Sequence, residues 1–111
     1  MDLDFPLLEY DRGLPVALIE YKHEKMQKIS LGHPTFHALS VLSDKARIPF
    51  FVVRYKDDFS VFNVIPANSY AKEKLPDGSK FLTEAGYVKF LYWLRGHECP
   101  QSIIDGLRIV V

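Results

Sequence analysis

The stretch Val16-Ala-Leu-Ile-Glu-Tyr-Lys22 constrains this chain more than any other. Val16 and Leu18 lie on one parity of an extended segment and Ala17 and Ile19 on the other. Apolar side chains on both parities belong to a strand inside a sheet that is covered on both faces. Glu20 and Lys22 then interrupt the run where the strand leaves the sheet, and two residues apart they share a face. Ionised groups at the mouth of a buried strand carry a desolvation cost that something must offset. A cation beside Glu20 and a phosphate near Lys22 would do so.

What precedes this strand supplies a candidate partner. Leu3 to Tyr10 reads as a second extended stretch, joined to Leu14–Lys22 through Asp11-Arg12-Gly13, a hairpin signal with Gly able to take positive φ. If those three residues form the loop, Tyr10 pairs with Leu14, Asp4 lies directly across from Glu20 and Asp2 across from Lys22. A two-residue loop slips the register by one and turns Asp4 to the other face. In the first register two carboxylates stand side by side, which with a backbone carbonyl makes a hard-oxygen site for Mg²⁺. Glu9 and Asp11 are substitutes for Asp4, although Asp11 suits the turn and Glu9 falls on the opposite parity. Such a site suits metal-assisted phosphodiester hydrolysis, with Lys22 orienting the attacking water or stabilising the developing negative charge.

Downstream, His23 to Gly32 is polar and lysine-rich and reads as a connection, either a solvated loop or a contact with substrate. Pro34 suits the first turn of a helix. Phe36, Leu39, Leu42 and Ala46 recur at helical spacing with Val41 alongside, giving a helix to about Arg47. Phe50–Tyr55 is β-branched and aromatic, hence a strand. Lys56-Asp57-Asp58 is a turn, and Phe59–Ile65 its hairpin partner. Pro66 to Lys80 reads as loop, on the strength of Asn68, Ser69, Pro76, Asp77 and Gly78. Thr83 followed by Glu84 caps a helix with Tyr87, Phe90, Leu91 and Leu94, ending at Gly96. A Pro100-led turn or helix and an apolar tail follow. The expected fold is α/β (α+β), a mixed central sheet with helices on its faces in the order β-β-α-β-β-α, in one domain over residues 1–111.

Asp, a gap, then Glu-x-Lys at the end of an apolar strand resembles the PD-(D/E)XK nuclease superfamily. The helix Thr35 to Ala46 and the strand Phe50 to Tyr55 fit that superfamily's next elements. The resemblance covers roughly the first half of the chain and implies a restriction-endonuclease-like core. It also implies Asp4 and Glu20 as ligands of Mg²⁺ or Mn²⁺, the Tyr21 carbonyl as a further ligand, and Lys22 as the catalytic cation. The substrate it implies is DNA, double-stranded or branched. The superfamily usually carries a helix and a strand before the Asp, and its Pro beside that Asp, whereas here Pro6 follows Asp4. A homodimer or a partner subunit is therefore expected to complete the fold.

The other chemistry-bearing residues are weaker. His33 and His37, one helical turn apart, are a zinc pair without a third ligand. His97 and Cys99 form an isolated His-x-Cys, with Cys99 reading as a packing residue. Arg54, Tyr55 and Lys56 stand near a strand end and suit a nucleic-acid backbone. Tyr87, Phe90, Leu91 and Trp93 read as helix core, with a dimer interface as the other use of so many aromatics. No Gly-rich phosphate loop occurs.

With Lys and Arg balancing Asp and Glu at 14 each, the chain is not built to coat nucleic acid, although local potential can still be positive. The N-terminus lacks a signal-peptide pattern, and no apolar run reaches the roughly 20 residues of a membrane span. Together with the single cysteine, this leads to the expectation of a cytoplasmic protein without membrane contact. The rival readings are a non-catalytic module of the same fold, binding nucleic acid or protein, and a small subunit of a larger assembly.

Overall fold

A computed structural model describes residues 5–23 and 34–109. Asp2, Asp4 and His33, together with nearly all of the lysine-rich connection, lie outside the described residues. The chain is α+β, with a five-stranded mixed sheet in the order β1-β2-β3-β4-β5 and, among the described residues, four helices. The strands are β1 (Phe5–Asp11), β2 (Leu14–His23), β3 (Phe50–Tyr55), β4 (Phe62–Pro66) and β5 (Lys80–Leu82). The helices are α1 (Pro34–Ala46), α2 (Ser69–Lys74), α3 (Glu84–Leu94) and α4 (Gln101–Ile109).

Strands β2 and β3 pair in parallel and the other neighbours are antiparallel. A parallel pair needs a crossover, usually helical, and α1 provides it. The apolar character of both parities in β2 has the expected consequence. On one face Ala17 and Ile19 join Phe51, Val53 and Val64 beneath α2 and α3, through Ala71, Leu75, Tyr87, Phe90 and Leu94. On the other, Leu18 joins Phe50 and Val52 beneath α1, through Phe36 and Leu39. Phe50, Phe51, Ile19 and Val53 are wholly buried; each large side chain of this kind contributes about 1.5–3 kcal/mol through burial.

The first hairpin departs from the expected register. Its loop is two residues, Arg12-Gly13, both at positive φ (52° and 80°), which matches the type I′ turn that suits the twist of paired strands. Asp11 pairs with Leu14 and so closes the ladder instead of making the turn. A bulge between Glu9 and Tyr10 then shifts the register again, so that Glu9 pairs with Ala17 and Pro6 with Glu20. The placement of Asp4 directly opposite Glu20 is thereby corrected: Pro6 holds that position. The extra residue of the bulge cancels the change of face that a two-residue loop alone would cause. Even-numbered β1 residues, Pro6 among them, again share Glu20's face, while Glu9 is on the opposite one.

Because a Cβ at position 13 would meet nothing within 4 Å, its substitution is a backbone effect alone. Gly13→Ala is expected to lower stability by about 1–2 kcal/mol. An unchanged urea midpoint would show that the turn relaxes out of the left-handed region.

One burial pattern and two boundaries also differ from those expected. Within α1, Phe36 and Ser43 are buried and Leu39 half-buried, whereas Leu42, Val41 and Ala46 are exposed. Ser43 replaces an apolar residue in the stripe because its hydroxyl donates to the Ser40 carbonyl at 2.9 Å. Strand β4 starts at Phe62, later than Phe59, because Phe59 takes positive φ (57°) and its N–H bonds to the Lys56 carbonyl. The stretch expected as loop, Pro66 to Lys80, holds α2 and the start of β5. Its turn-forming Asn68 is the N-cap of α2, its side chain accepting from the Ala71 N–H. The cap of α3 is as expected: Thr83 accepts from the Gly86 N–H, and Gly96 follows the helix at φ 79°.

Candidate functional site

Row by row across the sheet, the ladder shows which residues share the face of Glu20. Glu20 neighbours Val52, which neighbours Ile65; one row further along, Lys22 neighbours Arg54, Asn63 and then Phe81. The cluster under α1 includes Val52 and Ile65. Glu20 therefore sits at the border between helix-covered sheet and the polar row Lys22-Arg54-Asn63.

Glu20 is only 5 % exposed. Its Oε1 lies 3.7 Å from Lys22 Nζ, and its Oε2 is buried with no hydrogen-bond partner. The pair is largely buried, with side-chain exposures of 14 % for Lys22 and 7 % for Glu20, so desolvation costs both charges and their mutual attraction offsets part of that cost. The Oε2 atom without a hydrogen bond adds to the cost. Asn63 repeats the pattern in the next row: its Oδ1 is buried without a partner, a state costing about 1–3 kcal/mol. A strand that keeps a buried carboxylate in this condition is not arranged for stability alone. A carboxylate oxygen with no hydrogen bond is one of the hard oxygen donors that Mg²⁺ or Mn²⁺ takes, and Glu20 supplies one. Among the described residues, no group of three or more His, Cys, Asp or Glu side chains is placed to hold a metal ion.

Tyr21 points away from Glu20, into the core under α3. Its hydroxyl meets that of Tyr87 at 2.5 Å, the two rings edge to face. Burial pushes the Tyr21 phenol above its usual range, and burial with the neighbouring Tyr21 pushes Tyr87 higher still. Both stay protonated at neutral pH, which removes them as nucleophiles. His23, at the end of β2, is buried against Tyr55 and bonds Asp57 of the β3–β4 turn. This contact ties the strand's end to the adjacent turn.

Glu9 and Asp11 are engaged elsewhere. Arg95 donates to Glu9 at 2.7 Å and His97 pairs with Asp11 at 2.9 Å, docking the edge strand on the end of α3. Neither carboxylate is available to stand in for Asp4. His37 is exposed on α1, and Cys99 is half-buried beside the Pro100 carbonyl. Arg54 lies in the row beside Lys22, as its place in the ladder requires. Tyr87 and Phe90 are core, whereas Trp93 is half-exposed with Lys74 over its ring. Asn63 was missed by sequence reasoning; the signal was a carboxamide within the otherwise apolar run Phe62-Asn-Val-Ile65. No helix of the described residues is long and apolar enough to cross a membrane. No family model, curated protein or solved structure matches this chain significantly.

Proposed function

We propose that this chain is a divalent-metal-dependent nuclease that hydrolyses phosphodiester bonds of DNA, with its reacting centre at Glu20 and Lys22. The observation that carries the reading is the buried Glu20 carboxylate, one oxygen without a partner and the other beside Lys22. Glu20 and the Tyr21 carbonyl would hold Mg²⁺ or Mn²⁺, with Asp4, outside the described residues, as the further ligand that the superfamily resemblance implies. When bound, such an ion supplies a water of lowered pKa and neutralises charge on the phosphoryl oxygen. Lys22 holds a positive charge where the phosphate gains negative charge, and it orients the attacking water by donating to it. The covered face under α1 excludes water on one side of Glu20, which strengthens both interactions. The unit β2-α1-β3, with β1 and β4 antiparallel on either side, supports a restriction-endonuclease-like core within the PD-(D/E)XK superfamily.

The test is incubation with plasmid and single-stranded DNA in Mg²⁺, Mn²⁺ or EDTA. Cleavage is expected with either metal and not in EDTA, and Lys22→Ala should lower its rate by about 100-fold or more. Cleavage that survives this substitution, or none with either metal, overturns the assignment. A second reading, a non-catalytic nucleic-acid-binding module, is favoured by the cations Arg54 and Lys56 lining one groove. It predicts binding without cleavage in every condition.

A further inference from the structure

Beyond the Glu20 site, the same face of the sheet continues through Arg54 and Asn63 to Phe81 on β5. Phe81 is 74 % exposed, the most exposed of the large apolar side chains among the described residues. A lone exposed apolar residue needs no explanation, but this one lines a groove of about 290 Å³ with Arg54, Tyr55, Lys56, Val61 and Asn63. Two cations and no carboxylate line that groove. Asn63 lies between the cations and the ring, its Oδ1 buried beneath the groove floor. Cationic side chains and an open aromatic face are the two parts of a platform for unpaired nucleotides. The cations follow the phosphates, and the ring stacks on a base.

We infer that the groove from Arg54 to Phe81 binds a single-stranded segment of the DNA, with Phe81 stacking on an unpaired base a few nucleotides from the phosphate held at Lys22. The inference deepens the nuclease reading of Glu20 and Lys22 and rests on it for the polarity of the path. Three strand spacings separate Lys22 from Phe81, about 14 Å, a reach that a short run of unpaired nucleotides covers. A duplex keeps its base faces stacked on one another, so Phe81 gains nothing from it. Lys22, Arg54 and Lys56 attract the backbone of either form, and the aromatic contact alone discriminates.

The experiment is fluorescence anisotropy in EDTA, where no cleavage occurs, with a labelled oligothymidylate and a duplex of equal length. The wild type is expected to bind the single strand more tightly. Phe81→Ala should weaken single-strand binding by roughly tenfold and leave duplex binding unchanged, with Phe81→Trp restoring it. Arg54→Gln should weaken both and flatten the salt dependence. Because Phe81 is exposed on an edge strand, its substitution leaves the core intact, and circular dichroism checks this. Equal losses for both ligands, no loss, or no binding to the single strand overturns the inference. Binding that depends on Phe81 in a protein that never cleaves would sink the nuclease reading and leave this one standing. Metal-dependent cleavage indifferent to Phe81 would do the reverse.

Discussion

Glu20→Gln is expected to lower metal-dependent cleavage by about 10²-fold or more, because it removes the anionic ligand. The carboxylate is 5 % exposed, its Oε2 has no hydrogen-bond partner, and Lys22 stands 3.7 Å from Oε1. The amide also takes the Glu20 counter-charge away from the Lys22 ammonium in a largely buried place, and breaking a buried pair from one side costs about 3–5 kcal/mol. A lower Tm is therefore expected beside the lost turnover. A purely structural ion pair predicts that same loss of stability with activity intact. Metal provides an independent reading. Mg²⁺ or Mn²⁺ at 100 times its Kd should stabilise the wild type by about 2.7 kcal/mol, and that gain should vanish in Glu20→Gln. A wild type whose melting ignores both ions would contradict the assignment without any cleavage assay.

A loss of stability as large as that from truncating a core side chain is expected at Asn68, a polar residue. Its Oδ1 accepts from the N–H groups of Phe50 and Ala71, each at 2.9 Å. Its Nδ2 donates to the Ile48 carbonyl at 2.9 Å, with Asp44 Oδ1 at 3.1 Å and Ser43 Oγ at 3.3 Å. One buried side chain thus caps α2 and satisfies the start of β3 and the end of the α1–β3 connection. Asn68→Ala removes the cap, worth about 1 kcal/mol, and leaves the Phe50 N–H and the Ile48 carbonyl buried without it. Each such orphan costs about 1–3 kcal/mol, so a total near 4 kcal/mol is expected, read as a lower urea midpoint at unchanged slope. Asn68→Asp keeps the acceptor and the cap but sets a buried carboxylate oxygen against the Ile48 carbonyl and Asp44 Oδ1, and it should be no more stable than Asn68→Ala. A loss below 1 kcal/mol for Asn68→Ala would show that water replaces the side chain. Phe50 and the parallel ladder behind it hold Glu20 in place, so this variant should also impair the site.

The regular elements were legible wherever side-chain periodicity carried the signal. Strand β2 with apolar residues on both parities, β3, the Pro34-led helix and the Thr83-capped helix all stand where their patterns put them. The stretch from Pro66 to Lys80 was not legible because α2 is short and its capping residue is equally a turn former. Asn68 reads as a helix start only once its bonds to Phe50 and Ile48, 18 and 20 residues away, are known. The candidate site divides in the same way. That Glu20 and Lys22 share a face follows from their spacing, whereas the third member depended on a hairpin register set by one bulge. Asn63 and Phe81 joined the row only through strand pairing.

By itself, the run Val16-Ala-Leu-Ile-Glu-Tyr-Lys22 determined that a strand buried on both faces would end in two charges on one side. That follows from the period of a strand and needs no partner. Only the tertiary structure decided what those charges meet: Pro6 across from Glu20, Arg54 beside Lys22, and Asn63 and Phe81 further along the row. The order of strands is long-range information, and a single extra residue in β2, Val16 at the bulge, shifts every cross-strand neighbour beyond it. The lack of a hydrogen bond at Glu20 Oε2 is likewise invisible in sequence, since it depends on what α1 and the sheet bring near it.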